Sequence, residues 1–223
     1  MTDRAPNPAL SSPATDFEAL VRQAIVASTG RLRRAVRLAA GDDRRHAALD
    51  RWFGGFAAEV RGHLELAQSG PLPMLAARGA LDERALDAIA ADHGWVDQLL
   101  SELGDALGVL AYGLGDEAVW SARSATLADE LDLVVSGVLA REDRVLTPLT
   151  HSYLHGDERA DLERVRGRDI VVHRAPFSLA WLCATLGEAT EARIMAAVPG
   201  PARMVLRTRR RAYARTADTA LAA

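Results

Sequence analysis

Almost nothing in this sequence can pair as a β-strand. Its one β-branched run, 169-DIVVH-173, has no partner run, whereas apolar residues recur at helical spacing through four long stretches. A helix capped by Asp16 runs through 17-FEALVRQAIVASTGRLRRAVRLAA-40 until 41-GDD-43 interrupts it. A second runs from about Asp42 to Ser69 and is ended by 69-SGPLP-73. A third covers about 80–107, with Asp82 as cap and Gly94 as an interior weak point. The longest extends from Asp116 to about Leu154, and Pro148 is expected to kink or end it. Short connections between four long helices predict an all-α fold, an antiparallel four-helix bundle over 15–155.

Residues 1–14 are rich in Pro, Ser and Ala and are expected to be disordered. Beyond Gly156 the helical patterns shorten, to 157–168, 176–186, 188–198 and about 201–217. With few large apolar groups they would form a marginal core alone, so 156–217 is expected to be a C-terminal helical extension packed on the bundle.

A chain of 223 residues, 49% hydrophobic and 26% charged, can bury one good core. The formal charge of −3, with every cation an arginine, gives no overall attraction to nucleic acid or anionic lipid. The tail 203-RMVLRTRRRAYAR-215 reads as a solvated face, so nucleic acid is not expected as a partner. No apolar run approaches the roughly 18–20 residues of a membrane-spanning helix. The single cysteine, Cys183, cannot form an internal disulfide and reads as buried and inert. No signal-peptide pattern opens the chain, and a cytoplasmic location is expected. Trp52, Trp95, Trp120 and Trp181 read as packing residues, while His46, His151, His155 and His173 fall near helix ends and read as solvated.

Chemistry enters with an internal echo. Aligned without gaps, 62-GHLELAQSGPLPML-75 and 137-GVLAREDRVLTPLT-150 share Gly, Leu and Pro, which sets His63 against Val138 and Ala67 against Glu142. Residues four apart share a helix face, so a His-x-x-x-Glu pair can converge on one ion. Here one helix keeps the histidine and the other keeps the acid.

These stretches resemble the hemerythrin-like (HHE cation-binding) proteins, especially the longer actinobacterial type. The matching segments are 28-STGRLRRAV-36, 63-HLELAQSGPLP-73, 92-DHGWVDQLL-100 and 138-VLAREDRVLTP-148, with 175-APFSLAWL-182 and 197-AVPGPARMVLRTRRRAYAR-215 similar to the family's C-terminal extension. The resemblance implies six ligand positions, at Thr29, His63, Ala67, His93, Val138 and Glu142. Only His63, His93 and Glu142 retain groups that coordinate a metal well.

A buried Glu142 would need a donor, a cation or a proton, and the two histidines are its expected partners. Asp97, one turn after His93, could join them, and Trp95 could wall a pocket. Three readings follow. In the favoured one the ordinary di-iron site is lost, and Thr29, Ala67, Trp95, Asp97 and Val138 line a pocket for a small organic molecule. His63, His93 and Glu142 then act as acid–base groups without a cofactor. In the second they hold one Fe or another divalent metal for oxygen, nitric oxide or redox chemistry. In the third the site is vestigial and the protein is a scaffold.

Overall fold

The computed structural model describes residues 16–173 and 175–222, so the stretch 1–14 and the side chain of His173 lie outside the described residues. Those residues form α1 (Phe17–Leu38), α2 (Asp43–Ser69), α3 (Pro71–Ala77), α4 (Glu83–Ala111), α5 (Glu117–Tyr153) and α6 (Gly156–Arg168). A π-helical turn (Asp169–His173), α7 (Ala175–Leu186), α8 (Glu188–Ala197) and α9 (Gly200–Leu221) follow. No strand occurs among the described residues, and none of their helices is long and apolar enough to cross a membrane.

Each long helix among the first five elements starts at an aspartate whose carboxylate accepts from a backbone N–H of the first turn. Asp16 takes Ala19, Asp42 takes Arg44 and Arg45, Asp82 takes Ala85, and Asp116 takes Val119. Such a cap stabilises a helix by about 1 kcal/mol.

The prolines at the two sites behave differently from each other: α2 ends at Ser69 as expected, whereas α5 runs on past Pro148. Gly70 leaves helical geometry (φ −116°, ψ −94°), α2 stops, and Pro71 opens the short α3, which the periodicity did not reveal. Pro148, by contrast, does not end α5, which continues to Tyr153. Only the bond to the Arg144 carbonyl is lost there, and Arg144 lies on the exposed side, where water can replace it. The run 169–173 makes the π-helical turn, with Ile170 fully buried.

Helix α1 packs on α2 and α5, and α4 packs on the same two partners, so the four long helices close a ring. Val21, Ile25, Leu49, Val96, Leu103 and Leu131 meet inside it, all essentially without solvent contact. Helices α7 and α9 cover the α1–α2 side.

An aromatic seam joins these layers. Trp52 stacks on Phe56 at 5.2 Å between ring centroids, and Phe56 meets the edge of Trp181 at 6.4 Å. The polar tips are satisfied as well: Trp52 Nε1 donates to Tyr213 Oη (3.1 Å) and Trp181 Nε1 to Ser28 Oγ (2.9 Å). Gly55 permits the closest approach, because a Cβ there would stand 2.4 Å from the Phe177 ring. The Cys183 thiol is buried, and burial pushes its pKa up to about 11.

Candidate functional site

Three helices of the ring bring one side chain each to a common point. His63 comes from α2, His93 from α4 and Glu142 from α5, with exposures of 2%, 2% and 6%. Glu142 spans the two histidines: Oε2 lies 3.0 Å from His63 Nε2, and Oε1 lies 3.2 Å from His93 Nε2.

The remaining ring nitrogens fix the protons. His93 Nδ1 lies 3.1 Å from the Gln68 amide nitrogen, and with that N–H donating to it the ring turns Nε2 to Glu142. His63 Nδ1 lies 2.7 Å from Glu18 Oε1 in the first turn of α1. With a carboxylate at each nitrogen, His63 is an imidazolium that donates twice.

Burial alone would lower the His63 pKa, but the hydrogen bonds and charges of Glu142 and Glu18 outweigh it and raise it from 6.5 to about 9. Burial likewise favours a neutral Glu142, yet the hydrogen bonds and charge of His63 and His93 bring its pKa from 4.5 to about 2. Glu18 is also held below the ordinary carboxylate range. Burial would raise it, but the hydrogen bond and charge of His63 together with the charges of Arg166 and Arg22 outweigh it.

Arg166 of α6 completes the cluster from a position only 1% exposed. Nη1 donates to the Gly62 carbonyl (3.2 Å), and Nε forms an ion pair with Glu18 Oε2 at 3.0 Å whose N–H is not aligned for a hydrogen bond. Its Nη2 lies 3.5 Å from His63 Nδ1, where two donors face each other and no bond forms. Two carboxylates therefore balance two cations. That resolves the desolvation problem posed by Glu142, since a buried charge persists only with partners.

His63 and Glu142 open onto a cleft of about 1580 Å³ bounded by α1, α2, α5, α6 and α8, and His93 lies behind them. Ala67 lines this cleft, but several expected lining residues do not. Thr29 is buried with Oγ1 on the Val26 carbonyl (3.1 Å), and Val138 belongs to the apolar core. Trp95 is 49% exposed, because it projects from the opposite side of α4 to His93. Asp97 pairs with Arg61 at the surface (2.6 Å), since His93, Val96 and Leu100 already occupy the inward stripe of α4.

His46 also departs from its reading. It is buried, and both ring nitrogens lack hydrogen-bond partners among the described residues. It stands three residues before Leu49 on the inward stripe of α2, which also carries Trp52 and Phe53. His151 and His155 are exposed.

Glu18, Gln68, Glu163 and Arg166 escaped sequence reasoning. Glu163 lines the cleft, its Oε2 has no hydrogen-bond partner among the described residues, and burial, followed by the charges of Asp16 and Glu18, raises its pKa to about 7. No spacing pattern links α1 or α6 to His63. The only available signal was Glu18 set between the inward-facing Phe17 and Val21.

A di-iron centre does not fit these residues, because three of the six implied ligand positions are Thr29, Ala67 and Val138. Among the described residues, no group of three or more His, Cys, Asp or Glu side chains is arranged to hold a metal ion. No protein-family model matches the chain, and no significant match was found among curated proteins or solved structures. Fold and site together define an all-helical protein with a charge-balanced His–Glu cluster at the floor of a cleft.

Proposed function

We propose that this chain is a hemerythrin-like four-helix bundle with a C-terminal helical extension that has lost the ordinary di-iron site and binds or transforms a small organic molecule. The observation that supports this reading is the pairing of a doubly donating His63 with an ionised Glu142 where both face the cleft. The cluster needs no cation to balance its charge. A ligand oxygen that takes over the Nε2–H of His63 would meet a proton donor in a dry setting, where such contacts act strongly. Glu142 and Glu18 hold that proton on the ring, while His93 and Gln68 position Glu142.

The test is thermal melting against a metabolite panel, in wild type and in Glu142→Gln. A compound that raises the melting temperature of wild type and fails to do so in the variant supports the reading. Equal shifts in both proteins would detach the cluster from function. Iron near two equivalents per chain with oxo-bridged absorption would overturn the metal-free reading altogether.

A further inference from the structure

We propose that the cleft receives an organic anion with an apolar tail, its carboxylate or phosphate-monoester head held by Arg168 and Arg193. This rests on the small-molecule reading above and adds the class of ligand. The cations at the cleft floor are already committed: Arg22 to Asp143, Arg166 to Glu18, and His63 to Glu142 and Glu18. Two rim arginines are engaged too, Arg164 with Asp161 and Arg159 with the His151 and Leu154 carbonyls. Arg168 and Arg193 differ. Both line the cleft and are exposed, and neither has a hydrogen bond or ion pair among the described residues.

Two guanidiniums with their forks free suit a carboxylate or phosphate, which accepts paired N–H bonds from each. The acids of the cleft do not cancel them. Glu18, Glu142 and Asp143 are already paired with Arg166, His63 and Arg22, and Glu163, with its pKa raised to about 7, has partly lost its charge at neutral pH, which leaves the Asp16 carboxylate against two arginines.

The surface beyond the arginines is apolar. On α8, Arg193, Ala196 and Ala197 fall at i, i+3 and i+4 and so share one face, on which small residues leave room beside the cation. Val171 of the π-helical turn follows Arg168, and α1 supplies Val26, 43% exposed, with Ala27. An exposed apolar strip inside a cleft is what an acyl or alkyl tail would cover. The volume exceeds the range of about 300–1,000 Å³ common for compact ligands, so an extended molecule can lie in it.

The experiment titrates the full chain with decanoate, decyl phosphate, decylammonium and decanol, following heat of binding and the ring ¹⁵N signals of His63. Decanoate or decyl phosphate should bind, and which of the two binds tighter assigns the head group. The neutral and cationic analogues should bind at least about tenfold more weakly. Arg168→Gln with Arg193→Gln should weaken anion binding about tenfold or more, and lysine at both positions should restore part of it. Equal binding of decanol or decylammonium, unchanged anion affinity in the double variant, or no binding of any of the four would overturn the ligand class. Arginine-dependent anion binding that leaves the His63 signals unmoved and persists in Glu142→Gln would keep the anion site and sink the acid–base reading instead.

Discussion

His46 and His63 stand on the same helix, α2, and are equally hidden, at 1% and 2% exposure. Around His63 every polar atom of the ring meets a carboxylate, whereas around His46 neither nitrogen has a partner among the described residues. Burial alone therefore says little about what a histidine does. Its neighbours decide whether the ring is a charged centre or a flat filler of the core.

The largest effect should come from removing the partner that makes the difference. Glu142→Leu leaves a buried imidazolium with half its compensation, and urea unfolding at neutral pH should register a loss of about 3–5 kcal/mol. Glu142→Gln keeps the shape and should cost less. A gain in stability from Glu142→Leu would break the contrast, making the His63 cluster as dispensable as an unpartnered ring.

The pH dependence sharpens it next. A proton binds His63 more tightly in the folded chain, so this stabilisation is complete below about pH 6.5 and lost as pH rises through about 9. Glu142 works in the opposite direction: its contribution is complete above 4.5 and lost as pH falls through about 2. Both are full between roughly pH 4.5 and 6.5. Unfolding free energy measured from pH 6 to 10 should fall by on the order of 3 kcal/mol through His63, and His63→Gln should remove that part of the limb, leaving the smaller falls from Glu163 near pH 7 and Cys183 above pH 9. A flat limb in wild type would show that His63 is neutral, as a lone buried ring would be.

His46→Leu tests the other side. Removing two unsatisfied nitrogens from the core should stabilise the fold by about 1–2 kcal/mol in the same measurement. A loss would reveal a partner for His46. The smallest effect is expected at Trp95, where the exposed ring touches neither region. Trp95→Ala should change stability by about 0.5 kcal/mol or less and leave ligand binding intact.

The long helices were legible because their signals are local. An aspartate three residues before the N–H that it caps, and apolar residues at threes and fours, are written within one turn of chain. The Gly–Leu–Pro echo carried register between α2 and α5 and so related His63 to Glu142. Glu18 and Arg166 could not be read that way, because they reach His63 from α1 and α6, far away in sequence and without a repeated spacing. Trp95 and Asp97 show the converse: closeness to His93 in sequence does not give closeness in space once α4 has turned. The breadth of the cleft depends on where α6 and α8 dock, which no local pattern encodes.

Gly55 has a reach beyond its own contact. It admits the Phe177 ring almost onto the backbone of α2, and Phe177 lies in the first turn of α7, directly downstream of the π-helical turn that contributes Val171 to the cleft. A methyl group on Gly55 would collide with that ring, so α7 could not keep its seat on α2, and a single hydrogen on one backbone carbon sets how closely the extension docks on the ring of long helices.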